Sequence, residues 1–157
     1  MPPTRLGPLL EPLPGTYAVL LSPPAGGTVR IGRLGTLALS GGCLIYVGSA
    51  RGPGGVAARC RHHLRTAASP RWHLDYLRPH CRVTGFWVSY GGDCVEHDWA
   101  RALAALPGAV HPLAGFGASD CRHCPAHLIR LPRMPSPSTL HGCLGEGVLV
   151  RVRDAAD

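Results

Sequence analysis

The run Leu44-Ile45-Tyr46-Val47-Gly48 ends an apolar stretch on a phenol and a glycine. After the turn Gly52-Pro53-Gly54-Gly55 comes a segment that carries Arg59, Arg61, His62 and His63. A strand that stops on a tyrosine, a short loop and a cation-bearing helix together aim a phenol and several positive charges into one small space. Cutting a phosphodiester needs a deprotonated nucleophile, charge stabilisation on the phosphoryl oxygens and help for the leaving oxygen. Those residue types in that order suit the task. His63 follows Arg59 by four residues, so the two share a helix face. His63 is a candidate general base or phosphate contact, with a partly buried helix histidine as the alternative.

A second constellation lies downstream. Cys121-Arg122-His123-Cys124-Pro125-Ala126-His127 is a Cys-x-x-Cys with a histidine three residues on. Zinc takes cysteine and histidine tetrahedrally at such spacings, so Cys121, Cys124 and His127 are candidate structural Zn²⁺ ligands. A fourth would come from His111, His123, Cys94 or Cys143. Ordinary packed thiols are the alternative. A redox pair is disfavoured because Pro125 follows, where such motifs open a helix.

The elements that must position these residues follow from pattern and punctuation. Residues 1–14 hold five prolines and read as an extended arm. Strands are expected over 15–21, 28–31, 36–39, 44–48, 82–90 and 127–131, separated by glycine and proline turns. Helices are expected over 56–66, 72–77 and 94–106, the last capped by Asp93 and stopped by Pro107-Gly108. Residues 132–157 read as linker and C-terminal tail, with one more short strand or a loose end over 147–152. The order predicts an α+β domain over 15–131, a small antiparallel sheet flanked by helices.

Composition bounds the partners. The chain has 157 residues, long enough for one domain with a real core. Its 16 basic residues are all arginine, and the formal net charge is +7. Arginine grips phosphate through a planar fork, which favours an anionic partner. The alternative reading of the arginine usage is a GC-rich genome, in which arginine codons prevail. Seven cysteines, an odd number without a secretion signal, argue against a disulfide framework. No apolar run approaches the ~20 residues of a membrane helix, so a cytoplasmic protein is expected.

Gly15-Thr16-Tyr17 and Tyr46-Val47-Gly48 resemble the two halves of the GIY-YIG nuclease signature. The match covers roughly residues 15 to 131. The stretches YVGSA, GPGG, WHLDYL and GFGASDC, at 46–50, 52–55, 72–77 and 115–121, resemble those of a poorly characterised branch of small prokaryotic proteins in that superfamily. The resemblance implies a metal-dependent endonuclease acting on DNA in repair or recombination, with RNA as an alternative polymer and a repair protein as a partner. By position it assigns Tyr17 and Tyr46 to the attacking water, Arg59 to the scissile phosphate and Glu96 to a single Mg²⁺ or Mn²⁺. His73, Asp75 and Asp120 come from the same stretches as second-tier site residues, and Asp120 or His127 would close the cleft. Residues two apart on a helix do not face each other, which speaks against a direct His73–Asp75 dyad.

One departure matters. Tyr17 and Tyr46 lie 29 residues apart, where the family uses a simple hairpin. The segment 28–39 must therefore be an extra strand insertion, and displacement of the first strand by it would cost Tyr17 its place. The acids support the metal assignment. Of nine, Glu11, Glu146, Asp154 and Asp157 fall in the arm or tail, and Glu96 is the one glutamate of the expected core. A hard cation needs one or two carboxylates and keeps several waters. Each residue has a structural alternative: a strand tyrosine at a core edge, a solvated arginine, a helix-start acid favoured by the dipole. Two other readings stand beside the nuclease. One is a non-catalytic nucleic-acid-binding module on the same fold. The other is an interaction domain docking through Trp87 and Trp99.

Overall fold

The computed structural model describes residues 10–91, 95–118 and 124–152. The expected Asp93 cap, Asp120 and Cys121 lie outside them. Among the described residues, strands β1 (Gly15–Ser22), β2 (Thr28–Ile31), β3 (Gly35–Ala38) and β4 (Cys43–Ala50) lead into helices α1 (Gly55–Leu64) and α2 (His73–Leu77). Then follow β5 (Arg82–Tyr90), α3 (Glu96–Ala104), β6 (Leu128–Leu131), α4 (Pro137–Leu144) and β7 (Val148–Arg151). Five strands form one antiparallel sheet in the order β6-β4-β1-β5-β7. The architecture is α+β. Among the described residues, no helix is long and apolar enough to cross a membrane.

The inserted segment does not displace β1. Strands β2 and β3 pair only with each other as a separate ribbon, so β1 and β4 remain direct neighbours. In that ladder Tyr17 faces Gly48 and Val19 faces Tyr46. Alternate residues of a strand point to opposite faces, and both faces of β1 are covered. Tyr17, Val19 and Leu21 pack with Val56, Ala57 and Cys60 of α1. Ala18 and Leu20 pack with Trp99, Ala100 and Leu103 of α3. That two-sided burial is why β1 reads as a continuous apolar run, and why α1 and α3 lie on opposite sides of the sheet.

The end of the arm is a built part of the fold. The carbonyls of Leu13 and Glu11 accept hydrogen bonds from the amides of Val56 (2.9 Å) and Ala57 (3.1 Å). These are amides of the first helical turn, which have no partner inside the helix. Gly55 (φ 55°) lies so close that a side chain there would collide with the Leu13 backbone. The glycine turn thus brings α1 against the arm and fixes its direction.

The stretch 132–145, read as linker, holds α4. Ser136 is its N-cap, accepting a hydrogen bond from the Thr139 amide at 3.1 Å, and Pro137 fills the first helical position. Serine and proline act here as a helix start. Leu140 and Leu144 of α4 bury in the core shared with α3. Next, β7 completes the sheet as an edge strand against β5, placing Val150 in the core beneath α1. Trp87 and Trp99, read as docking residues, are 4% and 3% exposed inside the α3-side core. Both are packing residues and offer a partner no surface.

Candidate active site

Tyr17, Tyr46 and Gly48 share the sheet face that carries α1, and the glycine makes room for the first phenol. A β-carbon at Gly48 would stand 2.6 Å from the Tyr17 hydroxyl oxygen. Tyr46 has the same arrangement with the loop after α3. A β-carbon at Gly117, itself at φ 69°, would stand 2.6 Å from the Tyr46 ring. Phe116 packs edge-on against that ring at 6.0 Å between centroids. Two glycines in separate segments thus seat the two tyrosines.

His63 closes the group from α1. Its Nε2 lies 2.8 Å from the Tyr17 hydroxyl, and its ring is edge-on to Tyr46 at 5.9 Å. Burial is nearly complete, at 2% exposure. Desolvation, helped by the neighbouring His62, pushes the His63 pKa down to about 3. The imidazole is therefore neutral at physiological pH and accepts the Tyr17 proton in a hydrogen bond. Burial raises Tyr17 well above the usual phenol range. It lifts Tyr46 to about 12, with Glu96 adding to the rise and Arg59 opposing it. Both phenols are protonated at neutral pH.

Arg59 and Glu96 reach this group from opposite sides of the sheet. Arg59 stands one turn before His63, and its guanidinium lies over the Trp72 ring at 4.4 Å. Trp72 also packs against His62 at 4.6 Å. Glu96 opens α3, where a negative charge complements the helix dipole. Its carboxylate lies 3.9 Å from His127 Nδ1 and close enough to both tyrosines to raise their pKa values. Tyr17, Tyr46 and His63 thus form one contact group, and the charges of Arg59 and Glu96, on helices at opposite faces of the sheet, are felt by both phenols. The insertion costs Tyr17 nothing.

The second-tier residues divide. Asp75 is 4% exposed, and its carboxylate accepts the amides of Arg71 (2.9 Å) and Trp72 (3.1 Å) and bonds His62 Nε2 at 2.8 Å. These hydrogen bonds outweigh burial and hold its pKa below the usual aspartate value. Asp75 therefore fixes the start of α2 and the Trp72 platform. His73 does not pair with it. Its Nδ1 accepts the Gly117 amide at 2.7 Å, which fixes the loop that seats Tyr46. His73 and Asp75 are positioning residues on separate partners.

The sulfur and nitrogen cluster also differs from its sequence reading. Cys124 and His127 come together with His97, one ligand atom from each lying within 4.8 Å of the others. Nothing in the spacing singled out His97. It follows Glu96 on the first turn of α3, and only the packing of α3 beside the entry to β6 brings it in. Burial lowers the His127 pKa, while Glu96 acts the other way.

The chain belongs to a family described as a domain of unknown function, DUF123, whose profile matches residues 16–146. The match includes α4, which binds that helix to the same domain as the tyrosine strands. No curated protein and no solved structure matches the chain.

Proposed function

We propose that this protein is a metal-dependent endonuclease of GIY-YIG type that hydrolyses phosphodiester bonds in DNA. The observation that carries the reading is the Tyr17–His63 hydrogen bond beside the Tyr46 ring, with the charges of Arg59 and Glu96 felt by both phenols. Their order along the chain is that of the signature residues.

The chain's own groups suggest a division of labour. Arg59 binds the non-bridging phosphate oxygens, held flat by Trp72. Tyr46, less buried than Tyr17, positions the attacking water. Proton acceptance falls to the Tyr17–His63 pair, because neither phenol ionises alone at neutral pH. A seated phosphodiester brings negative charge beside His63 and raises its proton affinity. The pair then accepts a proton mainly when substrate is bound.

Glu96 fits a divalent cation by its chemistry: a partly exposed hard oxygen donor, with solvent to complete an oxygen shell. Mg²⁺ or Mn²⁺ held there would neutralise charge developing on the leaving oxygen.

The test is incubation with supercoiled, branched and single-stranded DNA in Mg²⁺ or Mn²⁺, and in chelator. Metal-dependent nicking that Glu96→Ala abolishes, with DNA affinity kept, is the expected result. Retarded but intact DNA under every condition replaces the enzyme with a binding module. Normal cutting by Glu96→Ala removes the metal role from that residue.

A further inference from the structure

We propose that His97, Cys124 and His127 bind one zinc ion, which pins the first turn of α3 to the segment entering β6. Their donor atoms lie within 4.8 Å of one another, and His97 Nδ1 is 3.6 Å from Cys124 Sγ. Zinc bonds of about 2.3 Å to sulfur and about 2.0 Å to nitrogen place tetrahedral neighbours about 3.5 Å apart. The His97–Cys124 separation fits that geometry, and the 4.8 Å bound leaves His127 within reach of the same ion.

A thiol–imidazole hydrogen bond would account for the same 3.6 Å, but it leaves His127 unexplained. That ring is 3% exposed, and its Nε2 is buried without a hydrogen-bond partner among the described residues. A cation beside Cys124 and His97 gives the buried His127 Nε2 a partner. The donor set of one thiolate and two neutral imidazoles selects zinc over the hard cations, which prefer oxygen. Binding releases the Cys124 proton, and the ion with its thiolate carries net charge +1. A water or a further donor completes the tetrahedron.

The site touches the candidate active site through one residue. With Nε2 on the metal, His127 carries its proton on Nδ1, the atom 3.9 Å from the Glu96 carboxylate. A metal-bound histidine that directs its other nitrogen to a carboxylate fixes both groups. The ion would thus hold Glu96 in place without joining the reaction. The zinc assignment itself does not rest on nuclease activity.

The experiment uses the full chain, purified without a metal-binding tag or chelator, and reads metal by elemental mass spectrometry. One zinc per chain is expected. Cys124→Ser and His97→Ala should each weaken zinc binding roughly tenfold or more, and Cys143→Ser, whose sulfur lies outside the cluster, should not. Cobalt exchanged into the wild-type chain should give a thiolate-to-metal charge-transfer band. That band should vanish in Cys124→Ser and persist in Cys143→Ser. Circular dichroism on each variant separates lost metal from lost fold. If Cys124→Ser proves unfolded, the cobalt spectra of the wild type and His97→Ala decide. A wild-type chain that takes up neither metal, or a cobalt band unchanged in His97→Ala, overturns the site.

Discussion

Tyr17 lies directly across the β1–β4 ladder from Gly48, and its ring occupies the space that a side chain at Gly48 would fill. The glycine of the second motif is thus the seat of the tyrosine of the first. Gly48→Ala should destabilise the fold by ~1–3 kcal/mol through overpacking, measured by urea denaturation. It should also break the Tyr17–His63 hydrogen bond. A variant with wild-type stability would show that the ring relaxes elsewhere.

Acid should weaken the fold earlier than carboxylate titration alone predicts. His63 has a folded-state pKa of about 3 against an ordinary value of 6.5. A group with a depressed folded pKa contributes stability above its unfolded pKa and loses it as pH falls. The loss therefore begins near pH 6.5 and continues toward pH 3. One such proton gives a slope of up to about 1.4 kcal/mol per pH unit. Burial of His127 and His73 acts in the same direction. His63→Gln should flatten the slope between pH 5 and 6 in denaturation curves taken across that range. An unchanged slope would show that His63 protonates without cost.

Arg59→Lys keeps the charge but loses the planar group that lies over Trp72. Under the nuclease proposal, cutting should fall roughly ten- to a hundredfold. The salt dependence of DNA binding should hardly change, because the number of phosphate-neutralising charges is the same. Equal cutting by the two proteins would remove the guanidinium geometry from the scheme.

Leu140 on α4 is 1% exposed and far along the chain from every candidate catalytic residue. Leu140→Ala should cost about 2–5 kcal/mol of stability. Below its melting transition it should leave any activity intact. Thermal melts paired with assays well below the midpoint separate the two effects.

Much of this was legible because strands and glycine turns write themselves locally. The runs GTYAVLL and RVTGFWVSY are apolar on both faces, and each became a strand within a residue or so of its expected bounds. The place of Tyr46 against α1 follows from the strand–turn–helix order, whereas Tyr17 comes from the resemblance to the signature alone. The misses have one cause, the contact between distant segments. Ser136-Pro137 reads equally as linker or as a helix start, and only burial of Leu140 and Leu144 decides between them. His97 has no spacing signal, because its neighbours Cys124 and His127 come from another element. The partner of Asp75 is His62 across the α1–α2 corner, which the WHLDYL stretch could not reveal.

Helices α1 and α3 bury in two hydrophobic cores separated by the sheet, yet Arg59 belongs to one helix and Glu96 to the other. An occupant gripping both side chains would rivet the two layers from outside. Its binding energy would then oppose their separation, so heat resistance in the bound form should rise for both layers together, even where the ligand touches only the rim.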